Sequence, residues 1–307
     1  MKNLSAIDLF SGCGGMSLGF QNAGFVISDA YDKWHPAIQV YRDNFSHEIH
    51  EMDLSNPEVQ KEIAAKAPEI IFGGPPCQDY STAGHHDTSL GRAALTLTFR
   101  DIVLRAMPEY FVMENVAAIS TSENLRIVEK SFHDAGYGLT KQILDASLCG
   151  VPQKRTRMFL IGHLGDVDGF LAKALTDGLS AKPMTMRNYF GSRLGIDYYF
   201  RVPVNYRRRG IFSVDEPCQT IRGVDRPIPP GYPGHPSDPV PLDDSIRILT
   251  VRERASVQTF PETFHFTGSK TDLNLMIGNA VPVKLAEYVA CAIRDYDCIC
   301  SQKVASA

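Results

Sequence analysis

The chain has 307 residues, 44% of them apolar and 21% charged, which excludes disordered and collagen-like classes and fits one large or two unequal globular domains. No apolar run approaches the roughly 20 residues of a membrane span. The first ten residues carry Asp8 within an apolar run and lack a cleavage site, so a cytoplasmic protein without a membrane partner is expected. The net charge is −4, yet between Lys182 and Arg226 nine Lys/Arg stand against four Asp/Glu, a local basic segment of the kind that marks a nucleic-acid surface.

Taken in chain order, short apolar strands are predicted over 4–10, 25–31, 69–72, 110–113 and 158–162, with a further short segment over 49–54. Helical patterns over 35–45 and 94–106 lie between them, so the first half reads as βαβ units around a parallel sheet. Beyond residue 162 the pattern breaks, and 182–244 is rich in Pro, Gly, Arg and Tyr, as in an irregular or β-rich unit. Helical signals return over 250–259 and 282–296. The seven cysteines are odd in number and form no Cys-x-x-Cys, which argues against a disulfide framework and against a metal site; Cys298 and Cys300 fall near a fraying end.

Three motifs lie at strand exits, where ligands of open parallel sheets bind, and a fourth leads into a strand. Asp8-Leu-Phe-Ser-Gly-Cys-Gly-Gly15 is a strand, a glycine-rich turn and a helix start, and Asp32 follows 20 residues after Gly12, where an acid can accept from ribose hydroxyls. Ser17 stands where a dinucleotide fingerprint would carry its third glycine. Gly73-Gly-Pro-Pro-Cys-Gln78 stiffens the backbone before Cys77, which suits a positioned nucleophile as well as a buried structural thiol. Met113-Glu-Asn-Val116 brings a carboxylate, Glu114, that could serve as a general acid. Gln153-Lys-Arg-Thr-Arg157 places Gln153, Arg155 and Arg157 on one face of a strand by period-two alternation. Each motif alone is also compatible with a structural turn or an exposed strand end.

In this order and spacing, the segments resemble the cytosine-C5 DNA methyltransferase family. Arg247 to Glu253 with Gln258 to Pro261 is similar to its ninth motif, and Gly278-Asn-Ala-Val-Pro282 to its tenth. The resemblance runs from residue 6 to about residue 290 and implies an α/β, Rossmann-like S-adenosylmethionine-dependent methyltransferase fold with a smaller, irregular β-rich target-recognition domain. It implies a catalytic domain over 1–165 and 268–307 and a recognition domain over 166–267. It makes Cys77 the nucleophile that attacks cytosine C6, Glu114 the donor at N3, and Arg155 and Arg157 the catalytic arginines, with Arg157 on O2. The cofactor S-adenosylmethionine would contact Phe10, Gly12, Cys13, Gly14, Asp32, Asp53, Leu54, Pro75 and Asn279. Double-stranded DNA would contact Gln78, Ser81, Gln153, Arg207, Arg208, Arg209, Thr220 and Arg222, and the segment 79–94 would close over a flipped base.

Two departures from the family pattern stand out. Asp32 fills a slot usually held by Glu, and Lys33 stands where an aromatic usually follows, with Trp34 one residue later. A monomer is expected, with an endonuclease of the same specificity as a functional counterpart. The alternatives are a tRNA methyltransferase of the same family, whose usual Cys-Phe-Thr tripeptide is missing here, a nucleotide-binding oxidoreductase, in which Cys77 and the basic segment would have no role, and a catalytically dead DNA-binding relative, against which the intact Cys77, Glu114, Arg155 and Arg157 argue.

Overall fold

A computed structural model describes residues 4–76, 94–203, 205 and 207–305, the side chains of 94 and 303–305 excepted. The first half alternates β1 (Ser5–Leu9), α1 (Gly15–Asn22), β2 (Val26–Asp32), α2 (His35–Arg42), β3 (Glu48–Glu51), α3 (Pro57–Ala65), β4 (Ile70–Gly73), α4 (Ala94–Ala106) and β5 (Tyr110–Val116). Then come α5 (Glu123–Asp134), β6 (Tyr137–Asp145), β7 (Gln153–Lys154) and β8 (Thr156–Leu164). Seven of these strands form one sheet in the order β3-β2-β1-β4-β5-β8-β6. Strands β1 to β5 are parallel, and β8 runs antiparallel between β5 and β6.

Chain order reverses between β1 and β4, and this switch point opens a crevice beyond the carboxyl ends of the two strands. The central strands are apolar on both faces because both are covered. Ile70, Ile71 and Phe72 of β4 are fully buried. On one face Met16 and Phe20 of α1 pack with Leu285, Val289 and Ile293 of α10 (Val283–Ala305), and Phe20 stacks on Phe72 at 3.9 Å. On the other, Ile63, Phe99, Ile102, Val128 and Phe132 of α3, α4 and α5 fill the space. Each such side chain contributes about 1.5–3 kcal/mol by leaving water.

The remaining elements are α6 (Ala172–Asp177), α7 (Met186–Phe190), β9 (Tyr198–Phe200), β10 (Ile211–Ser213), β11 (Cys218–Gln219), β12 (Arg247–Ile248), α8 (Val251–Val257) and α9 (Lys270–Asn279). Strands β10, β9 and β12 make a small three-stranded sheet, over a cluster of Phe200, Ile211 and Ile246. A larger cluster joins Met186, Tyr199, Phe212, Ile221, Phe260 and Ile277 to Cys13 and Val40, so the middle segment shares a core with the first motif. A two-stranded ladder, β11 on β7, ties Cys218 and Gln219 to Gln153 and Lys154.

The elements differ from expectation in places. The 49–54 segment is strand only over Glu48–Glu51, and Asp53 then opens a turn by accepting from the Ser55 N–H at 2.9 Å. Helix α10 runs to Ala305, so Cys298 and Cys300 are half-buried helical residues and not a frayed tail. The stretch Lys270–Gln302 has the length and apolarity of a membrane span, and 61% of its most apolar window is buried inside the fold.

Candidate active site

The crevice is built from what leaves β1, β2, β4 and β5. Beyond β1, Phe10 takes a positive φ of 58° and starts the glycine-rich turn. The Gly12 N–H donates to Asp32 Oδ2 at 2.8 Å, and the N–H groups of Lys33 and Trp34 donate to Asp32 Oδ1, both at 2.8 Å. Three backbone donors thus hold the Asp32 carboxylate against the turn, and Oδ2, with one donor, keeps acceptor capacity for another. A Cβ added at Gly12 would meet no atom of the described residues within 4 Å, so these residues leave the space above the turn open.

Cys13 is buried against the Met276 carbonyl, and burial pushes its thiol up to about 12, a poor nucleophile. Only its backbone could serve a ligand. Asp53 is exposed, and Lys33 Nζ reaches it at 3.3 Å. Lys33, where the sequence departs from the family, therefore bridges from beside Asp32 to the second acid expected at the cofactor. Leu54 is buried, and Asn279 is exposed at the end of α9.

At the exits of β4 and β5 a polar group closes the crevice. Glu114 is only 7% exposed, and Arg157 Nε pairs with its Oε1 at 3.0 Å. Burial lifts the Glu114 carboxyl above the usual range although Arg157 and Arg155 both pull it down. The other oxygen faces Gly74, where an added Cβ would lie 3.1 Å from Glu114 Oε2. Asn115 Nδ2 donates to the Pro75 carbonyl at 3.1 Å. The segment leading to Cys77 is thereby clamped onto the end of β5. Sequence reasoning named Glu114 and Pro75 but missed Asn115, whose signal was its place in the same tripeptide. Cys77, Gln78, Ser81 and the remainder of the expected closing segment through residue 93 lie outside the described residues.

Period-two alternation holds in burial, with Gln153, Arg155 and Arg157 inward and Lys154 and Thr156 exposed, but the three side chains take different partners. Gln153 is fully buried: its Oε1 accepts from the Ile221 N–H at 2.9 Å, and its Nε2 donates to Gln258 Oε1 at 2.7 Å. Both ends of the amide are taken, so here it faces the interior and not DNA. Arg155 is 2% exposed and donates to the carbonyls of Ile221, Gly278 and Ala280, each at 3.1 Å. These carbonyls occupy its guanidinium, which joins the Ile221 segment after β11 to the tenth-motif turn. Gln258 completes that node by donating to the carbonyls of Ile277 and Ala280, a role that sequence reasoning did not assign.

The basic segment is likewise divided. Arg207 and Arg208 are exposed, and their side chains take no partner among the described residues. Arg209 pairs with Glu216 and lies 4.5 Å over the Phe212 ring. Arg222 donates to the Val202 carbonyl at 2.8 Å, and Thr220 Oγ1 to the Lys154 carbonyl at 2.7 Å. The triplet of arginines is therefore two outward cations and one internal strut.

The family of C-5 cytosine-specific DNA methylases matches residues 4–191 and 200–295. The chain belongs to that family. It is 53% identical over 296 residues to the type II methyltransferase M.HindV of Haemophilus influenzae, covering 96% of this chain and 97% of that one. It is 50% identical over 294 residues to the type II methyltransferase M.HgiDI of Herpetosiphon aurantiacus, covering 95% of each. In fold it is similar to the Dnmt2 methyltransferase of S. pombe, with a TM-score of 0.70, 18% identity and coverage of 96% and 99%. The enzyme is a DNA (cytosine-5-)-methyltransferase, and the family uses S-adenosylmethionine as methyl donor. The DNA reading prevails over tRNA methylation.

Proposed function

We propose that the methyltransferase acts on cytosine through a covalent bond between Cys77 and C6, with Glu114 and Arg157 as its partners. The observation that carries this reading is the buried Glu114–Arg157 pair set against Gly74, three residues before Cys77. Cytosine C5 is a poor nucleophile. Addition of the Cys77 thiolate to C6 forms a C–S bond, and the displaced electron pair moves toward N3 and O2. A proton from Glu114 neutralises N3, and the Arg157 guanidinium faces the O2 carbonyl, which leaves an enamine with electron density at C5. After methylation a base removes the C5 proton, the C–S bond breaks, N3 returns its proton to Glu114, and aromaticity and the free thiolate return. A carboxyl lifted by burial suits the donor role because more of it stays protonated toward neutral pH.

The residues at the switch point fit the methyl donor. An open space above the glycine-rich turn and the exposed Asp53 and Asn279 suit a nucleoside carrying an amino-acid tail, with Asp32 on the ribose and Phe10, Leu54 and Pro75 as its apolar surroundings. Backbone at Gly12, Cys13 and Gly14 would approach it directly. Bound there, S-adenosylmethionine supplies an electrophilic methyl group. DNA would lie across Arg207 and Arg208, with 1–165 and 268–307 as catalytic domain and 166–267 as recognition domain. Since C5 is unreachable in a stacked duplex, the target base must leave the stack, at a cost of a few kcal/mol. The likeness to type II methyltransferases supports a role in protecting DNA from an endonuclease of the same specificity, with the enzyme acting as a monomer.

Base-resolution mapping of 5-methylcytosine in DNA treated with the protein and S-adenosylmethionine tests this reading. Methylation of one cytosine within one recurring sequence is expected. Methylation at N4, or without sequence preference, would contradict it.

A further inference from the structure

Beneath the glycine-rich turn runs a buried line of polar groups that the chemistry above does not use. Asp8 Oδ2 lies 2.6 Å from Ser17 Oγ, Ser17 Oγ 2.6 Å from Tyr41 OH, and Tyr41 OH 2.6 Å from His47 Nε2. Asp8, Ser17 and Tyr41 are at most 1% exposed, and His47 is half-buried at the outer end. The turn rests on this line. Gly14 has a φ of +92°, and a Cβ there would come within 2.3 Å of the Phe45 ring and 3.0 Å of the Tyr41 ring. Those rings stack at 4.2 Å.

The protons in this line can be counted. Three hydrogen bonds need three protons, and the two hydroxyls supply two. The third comes from one end, as an Asp8 carboxylic acid or as a His47 Nε2–H. Asp8 Oδ1 is buried and has no hydrogen-bond partner among the described residues. An ionised carboxylate with one orphaned oxygen would be costly there, whereas a neutral acid leaves only an unpaired carbonyl. Burial raises Asp8 well above the ordinary carboxyl range although the Ser17 hydroxyl and N–H pull it down, and Asp32 across the turn also disfavours a second negative charge. Burial lowers His47. The groups facing His47 are Tyr41, the Phe45 ring at 5.3 Å and Asp29, whose carboxylate is already held by His50 at 2.9 Å and Lys66 at 2.8 Å. Glu48, next in the chain, leans toward His50 at 3.8 Å.

We infer that Asp8, Ser17, Tyr41 and His47 form a positioning relay, with a neutral Asp8 donating outward to a neutral His47, and that this relay sets the glycine-rich turn for S-adenosylmethionine. The inference rests on the cofactor placement proposed above. It assigns Ser17, which stands where a dinucleotide fingerprint would have glycine, as the link between the turn and α2. Protonation of His47 puts a donor at each end of a line that accepts only one, so one contact must break. The neutral form of His47 holds the line together above its ordinary value of about 6.5, and the line fails as the pH falls through the lowered value in the fold.

Calorimetric titration of S-adenosylmethionine from pH 5 to 8 tests the relay, with a thermal melt of each variant to confirm folding. Tyr41→Phe keeps the ring under Gly14 and removes the central hydroxyl. It is expected to weaken binding about three- to tenfold at pH 7.5, the range that one hydrogen bond spans. Wild-type affinity is expected to fall in acid, and Tyr41→Phe, disconnected from His47, to lose that dependence. Asp8→Asn can donate to Ser17 as the neutral acid does and is expected to bind far better than Asp8→Ala. Asp32→Ala serves as the reference for the cofactor placement. If it binds weakly while a folded Tyr41→Phe binds as the wild type does, the relay is wrong and the placement stands. If Asp8→Asn binds as poorly as Asp8→Ala, Asp8 acts as a carboxylate and the relay is also wrong. If Asp32→Ala binds normally, the placement fails and takes the relay with it.

Discussion

The crevice at the sheet switch point and the arginine-rich middle segment make opposite use of charge. At the crevice, Asp32 and Glu114 stand at strand ends fixed by a parallel sheet, where backbone donors hold Asp32 beside the glycine-rich turn and a guanidinium holds Glu114 against Gly74. In the middle segment most arginines turn inward or pair up. Arg187 binds Asp197 and Asp215, Arg201 donates to the Thr220 carbonyl, Arg209 to Glu216 and Arg222 to the Val202 carbonyl. With strands of only two or three residues, this segment has little ladder bonding, and guanidiniums that cap carbonyls substitute for it. A basic composition therefore measures two things at once, cations offered to phosphate and cations spent on the fold.

The contrast breaks first at Glu114. Replacement by Gln leaves the shape and removes the proton donor, so turnover is expected to fall roughly 10²–10⁴-fold while cofactor binding and the thermal midpoint stay close to wild type. Near-normal turnover measured by methyl incorporation would move Glu114 into the structural class. Next come the two arginines of one motif. Arg155→Ala takes the side-chain donor from the buried Ile221 and Gly278 carbonyls, each worth about 1–3 kcal/mol, leaves Gln258 alone on the Ala280 carbonyl, and is expected to lower the melting temperature strongly. Arg157→Ala opens a half-buried pair at the crevice and is expected to lower turnover far more than stability. Equal melting shifts for the two would erase the distinction. The smallest effect separates the triplet: Arg207→Ala and Arg208→Ala should each reduce the log–log salt slope of DNA binding by about 0.9, whereas Arg209→Ala should leave the slope alone and cost stability.

Much of the sheet was legible because its strands are short apolar runs ended by Gly, Asp or Pro. Strand β6 was not, since after Tyr137–Thr140 it alternates exposed and buried residues at the sheet edge. Helix α5 was overlooked although Leu125, Val128 and Phe132 recur at helical spacing behind a Ser122 cap. The motif positions of Asp32 and Glu114 could be read in the sequence because a strand exit dictates where they project, and that of Arg157 because its motif leads into the strand that follows. The inward turn of Gln153 and Arg155 could not, because it depends on Ile221, Gly278 and Ala280, which arrive from 66 to 125 residues away. Lys33 illustrates the same limit: as a departure from a family pattern it conveyed only a missing aromatic, and its contact with Asp53 needed the turn after β3.

The central claim is that Cys77 bonds to C6 while Glu114 and Arg157 stabilise the ring. DNA carrying 5-fluorocytosine at the target position tests it most directly, because fluorine cannot leave as a cation and elimination stalls after methylation. The account predicts a protein–DNA adduct that survives a denaturing gel, forms only with S-adenosylmethionine present, maps to the peptide of Cys77 among the seven cysteines, and disappears in Cys77→Ala. An active enzyme that yields no adduct, or an adduct that persists in Cys77→Ala, would contradict it.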